Sequence, residues 1–66
     1  MTYVYHYTIR SLDGSTAGSG LYFSKSKIDN KESYSTMLVE IQRYNSFKSI
    51  HDFTILNFTF LHVKDN

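Results

Sequence analysis

The sequence predicts an α+β domain: a three-stranded antiparallel sheet with one helix packed on one face, in the order strand, strand, helix, strand. Three observations predict it. Residues 2–12 alternate in polarity with the two-residue period of a strand. Residues 29–45 place apolar side chains at spacings of three and four, the period of a helix. Residues 53–63 read again as a strand, dominated by Phe, Leu, Ile and Thr. A chain of 66 residues holds one domain, residues 1–66. A helix laid across a small sheet is its natural two-layer solution.

In the first strand, Tyr3, Tyr5, Tyr7 and Ile9 share one face, and Val4, His6, Thr8 and Arg10 share the other. Asp13-Gly14 then signals a turn, because glycine accepts a positive φ without steric cost. The connection runs over residues 13–20, unless the second strand begins inside it near Ala17. In that strand Leu21 and Phe23 are expected to face the helix, with Tyr22 and Ser24 opposite.

Asp29 is the expected helix N-cap, with Glu32 three residues on as in a capping box; Asn30 competes for the role. Tyr34, Met37, Leu38, Ile41 and Tyr44 form the apolar stripe, and Asn45 and Ser46 end the helix. Phe47 and Ile50, in the loop over residues 46–52, are expected to plug one end of the core. In the last strand Leu56, Phe58 and Phe60 are expected inward, and Ile55, Asn57, Thr59 and Leu61 outward. The favoured strand order puts the first strand in the centre with the last antiparallel to it. The crossover through the helix is expected to be right-handed.

Composition narrows the function. The chain has no cysteine, so neither a disulfide nor a thiolate zinc site can staple it. Seven Lys and Arg against six Asp and Glu give a net charge of +1, without the basic excess that phosphate neutralisation needs. No apolar run approaches the roughly 20 residues of a membrane span, and the N-terminus lacks a signal-peptide pattern. The expected location is the cytoplasm.

Several motifs have a plainer reading than a catalytic one. The run Gly14-Ser15-Thr16-Ala17-Gly18-Ser19-Gly20 lies between two strands and no helix follows it, so it reads as a hairpin connection, not a phosphate loop. His6, His51 and His62 show no metal-ligand spacing on one element and read as surface histidines. Tyr3, Tyr5 and Tyr7 could stack bases, but the apolar helix stripe makes core the better reading. Lys25, Lys27 and Lys31 read as a solvated face. No cofactor is expected.

One helix covers one face, so the other face and the last strand's edge are the expected working surface. That edge carries no proline, and its first charged residue after Asp52 is Lys64. Native edges are usually blunted by such residues. A second copy paired along this strand, giving a six-stranded sheet, is therefore expected. The expected partner-binding residues are His6, Tyr22, Asn57 and Thr59, with Lys25 and Lys27 at the rim.

An aromatic first strand, a glycine-bearing hairpin, a helix after a polar turn and the closing strand Phe53-Thr54-Ile55-Leu56-Asn57-Phe58 form a pattern. It resembles many short proteins encoded by bacteriophages and other mobile elements. The resemblance spans most of the chain and lies in pattern alone. It implies a non-enzymatic accessory protein that binds, and often inhibits, a host protein or nucleoprotein complex; anti-CRISPR proteins are one such group. It carries over no functional residue. Single-stranded nucleic-acid binding through sheet aromatics is the alternative reading.

Overall fold

The computed structural model describes residues 1–65. Strand β1 (Thr2–Ser11) and strand β2 (Ala17–Ser24) are followed by helix α1 (Lys31–Tyr44) and strand β3 (Phe53–Lys64). The sheet order is β2-β1-β3 and both pairings are antiparallel. This is the expected ββαβ arrangement, with the first strand central.

The β1–β2 turn fixes the register of that pair. Asp13 Oδ1 accepts from Ser11 Oγ at 2.7 Å, from Ser15 N at 2.9 Å and from Ser15 Oγ at 2.6 Å. Ser11 Oγ accepts from Thr16 N at 2.9 Å, and Gly14 sits at φ 76°. Three hydroxyl and amide donors on one carboxylate hold Asp13 at about 2, below its ordinary 3.8. The closed turn sets Arg10 opposite Ala17, and every pair beyond follows: Ile9 with Gly18, Tyr7 with Gly20, Tyr5 with Tyr22.

That register corrects the facing of β2. Directly opposed residues in an antiparallel pair share a face. Tyr22 therefore joins Tyr5 and Tyr7 beneath the helix, while Leu21 and Phe23 point away from it, 47% and 51% exposed. Leu and Phe are more apolar than Tyr, which misleads a reading of polarity alone. Tyr22 is tolerated inside because its hydroxyl donates to Glu40 Oε1 at 2.9 Å.

Two irregularities in the β1–β3 ladder shift the facing of β3 as well. One lies between Val4 and Tyr5, the other between Thr8 and Ile9. Opposite them, Leu61 and Leu56 are the extra residues of β3, as in β-bulges. Each extra residue reverses the alternation beyond it. Ile55, expected outside, lies opposite Ile9 and packs on the core, whereas Leu56, expected inside, is exposed. Phe58 and Phe60 keep the expected side, opposite Tyr7 and Tyr5, though Phe60 stays half exposed.

Helix α1 starts one residue later than Asp29 would place it. Asn30 is the N-cap, its Oδ1 accepting from Ser33 N at 2.8 Å, and Ser33 Oγ accepts from Asn30 N at 3.3 Å. Ser33 takes the return role expected of Glu32. Met37 and Ile41, one turn apart, are fully buried against the sheet. Tyr34 and Tyr44 are exposed, so the buried stripe is narrower than the spacing suggests. At the far end Ser46 has φ 59°, and Phe47 turns back to stack on Phe53 with centroids 4.9 Å apart. Phe47 thus plugs that end of the core as expected.

Three tyrosine hydroxyls tie the two layers together. Tyr5 Oη accepts from Ile28 N at 2.9 Å, ahead of the helix. Tyr22 grips Glu40 in its middle, and Tyr7 Oη accepts from Asn45 Nδ2 at 3.2 Å at its C-cap. The Tyr5 ring also stacks on Phe58, centroids 4.7 Å apart. Tyr5 and Tyr7 of the β1 stripe are therefore core, with Tyr3 partly buried against it, and the hydroxyls of Tyr5, Tyr7 and Tyr22 each have a partner where burial would otherwise leave them unsatisfied.

Candidate interaction surface

The face of the sheet away from the helix is built in cross-strand rows. Val4 lies between Phe23 and His62, and His6 between Leu21 and Thr59. Thr8 lies between Ser19 and Asn57, and Arg10 between Ala17 and Thr54. Polarity is graded along these rows. The Val4 and His6 rows are apolar and imidazole-bearing; the Thr8 and Arg10 rows carry hydroxyls, an amide and a guanidinium.

Val4 is 2% exposed although no helix covers it. Its flanking side chains close over it, so Phe23 and Leu21 stand out as the apolar crest. On the β3 side, Thr59 Oγ1 donates to Asn57 Oδ1 at 2.5 Å. That bond orients both side chains along the rim of the face.

Of the residues expected to bind a partner, His6, Asn57 and Thr59 share this face. Tyr22 does not. It is 2% exposed, lies on the helix side, and its hydroxyl is committed to Glu40. Burial, then the Glu40 carboxylate, pushes that hydroxyl well above the ordinary tyrosine value of 10.0. Ser24 moves with it to the helix side, opposite Tyr3. Lys25 and Lys27 are exposed in the segment after β2. Lys25 borders a groove of about 490 Å³ between β2 and α1, shared with Ser24, Ile28, Thr36 and Glu40.

Polarity reading missed Leu21, Phe23 and His62 as members of the surface. The signal that finds them is the Asp13-Gly14 turn: closing it between Ser11 and Thr16 sets the whole β1–β2 register. His6 and His62 lie in adjacent rows of this face, on β1 and β3, and His51 lies in the loop before β3. Among the described residues, no group of three or more His, Asp or Glu side chains could hold a metal ion. No helix among them is long and apolar enough to cross a membrane.

Comparisons with protein-family models, with curated proteins and with solved structures give no significant match.

Proposed function

We propose that this chain is a small non-enzymatic protein-binding module that works through the helix-free face of its sheet. One observation carries the reading: Leu21 and Phe23 stand half exposed, side by side on the edge strand β2 of that face, with His6 next to Leu21 on β1 and His62, Thr59 and Asn57 beyond it on β3. An exposed apolar patch flanked by polar side chains marks an interaction surface. The finer reading is a phage-type inhibitor acting in the cytoplasm on a host protein or nucleoprotein complex. Base stacking is the weaker alternative, because Tyr5 and Tyr7, the rings it needs, lie under the helix.

The test is affinity capture from a bacterial lysate with matched variants. Wild type and the helix-surface variant Ser35→Lys should retain the same partner. Leu21→Glu and Phe23→Glu should lose it while keeping the wild-type circular dichroism spectrum. Retention by both face variants, or equal loss from Ser35→Lys, overturns the assignment.

A further inference from the structure

Strand β3 carries a pattern that reads the same in both directions. Its centre is Phe58. Asp52 and Lys64 are equidistant from it, and both are exposed. Thr54 and His62 are equidistant, as are Asn57 and Thr59, and these four lie on the helix-free face. Leu56 and Phe60 are equidistant, as are Ile55 and Leu61, and all are apolar. The two irregularities of β3 fall one residue short of the same symmetry: the extra residue Leu56 lies two before Phe58 and the extra residue Leu61 three after it.

We infer that β3 pairs antiparallel with β3 of a second copy of this chain, about a two-fold axis through Phe58 and perpendicular to the sheet. The occupant is specified by charge and by register. In this pairing Asp52 of each copy meets Lys64 of the other, at both ends of the interface. Thr54 meets His62, Asn57 meets Thr59, Leu56 meets Phe60, and the two Phe58 residues face each other. Polar side chains meet polar ones on the helix-free face, and apolar side chains meet apolar ones. An axis on Asn57 would set Thr54 against Phe60 and Ile55 against Thr59. An axis on Thr59 would set Leu56 against His62 and Asn57 against Leu61. Neither sets Asp52 against Lys64.

Bulges ordinarily blunt an edge by bending it away from a partner. Here Leu56 of each copy faces Phe60 of the other and Leu61 faces Ile55, so each extra residue lies next to the extra residue of the second copy. β3 is an edge of the sheet, and its exposed apolar side chains, Leu56, Phe60, Leu61 and Val63, run along most of it. The product is a six-stranded sheet with both helices on one face. The two helix-free faces merge into one continuous surface, and this pairing stands independently of what that surface binds.

The experiment reads mass and register together. Light scattering from micromolar to millimolar protein should give a mass near twice the 7.7 kDa of one chain. The chain has no cysteine, so single cysteines report cleanly. Thr54→Cys and His62→Cys are both at exposed positions. Mixed together, they should join through a short thiol cross-linker. Each alone should not, because like positions lie eight residues apart, roughly 27 Å along the strand. Asp52→Lys and Lys64→Asp should each weaken the dimer about tenfold by creating two like-charge pairs, and the double reversal should restore it. A monomer mass at all concentrations overturns the inference. So does a dimer in which either cysteine variant cross-links to itself as readily as to the other.

Discussion

Gly20 lies against the ring of Tyr7: a Cβ built on it would stand 3.1 Å from the Tyr7 hydroxyl oxygen and 3.3 Å from Cζ. The two are opposed across β1 and β2, and the missing side chain is the space the ring occupies. Gly18, two residues earlier on the same face, leaves room for Asn45, whose Oδ1 would be 3.3 Å from its Cβ. Gly18 and Gly20 therefore make room, one for Asn45 at the helix C-cap and the other for the Tyr7 ring that bonds it. Gly20→Val should destabilise the fold by about 1–3 kcal/mol through overpacking. Gly20→Ala should cost less, because the smaller group needs a shift of only tenths of an ångström and alanine lowers the entropy of the unfolded chain. Urea unfolding of the two variants measures the difference; a Val variant as stable as wild type would show that the ring is free to move.

The Tyr22–Glu40 bond gives an alkaline limit to stability. Burial and the neighbouring carboxylate raise the Tyr22 hydroxyl above 10.0, and Tyr44, which also bonds Glu40, is shifted the same way for the same causes. Above pH 10 the unfolded chain has released these protons while the folded one keeps them. The folded state then binds more protons, so stability is full below pH 10 and falls as pH rises beyond it. Tyr22→Phe should lower stability at neutral pH by about 1–2 kcal/mol and flatten the alkaline fall. Denaturant midpoints across the alkaline range, with tyrosinate absorbance alongside, check both effects. An unchanged alkaline slope in Tyr22→Phe would assign the limit to other groups.

Asp13 gives the opposite limb. Its folded value of about 2 lies below the ordinary 3.8, so its contribution is present above pH 3.8 and is lost as pH falls toward 2. Protonation removes the charge that Ser11 and Ser15 donate to, and the turn loosens. Asp13→Ala should abolish this part of the acid dependence and shift the Ser15 amide resonance, which reports the bond at 2.9 Å. A Ser15 amide that titrates near 3.8 in the wild type would show the carboxylate to be unconstrained.

Element type was legible in the sequence because strand and helix periods are both strong here. Facing was not. In β2 the two alternating sets, Leu21 with Phe23 and Tyr22 with Ser24, both contain a large ring, so polarity alone cannot choose between them. The choice is made by the turn, through the bonds from Ser11, Ser15 and Thr16. In β3 alternation fails for another reason: Leu56 and Leu61 are extra residues relative to β1, and nothing local in a run of Phe, Thr, Ile and Leu marks a bulge. The expected facing held at His6, Asn57 and Thr59, where His6 sits on the well-read first strand and the other two flank Phe58 between the bulges. It failed at Tyr22, where register decided.

The facing of β2 is directly measurable. Tyr22 has its ring under the helix and its hydroxyl bonded, so Tyr22→Ala should cost about 3–5 kcal/mol, as for a buried aromatic. Phe23, one residue on, is half exposed and contributes mainly by shielding Val4, so Phe23→Ala should cost only about 1 kcal/mol. The ranking is the reverse of what side-chain hydrophobicity suggests, which makes the pair diagnostic. If Phe23→Ala proved the more damaging change in urea unfolding, β2 would present Leu21 and Phe23 to the helix. The apolar crest on the helix-free face would then be lost, and with it the surface on which partner binding is proposed.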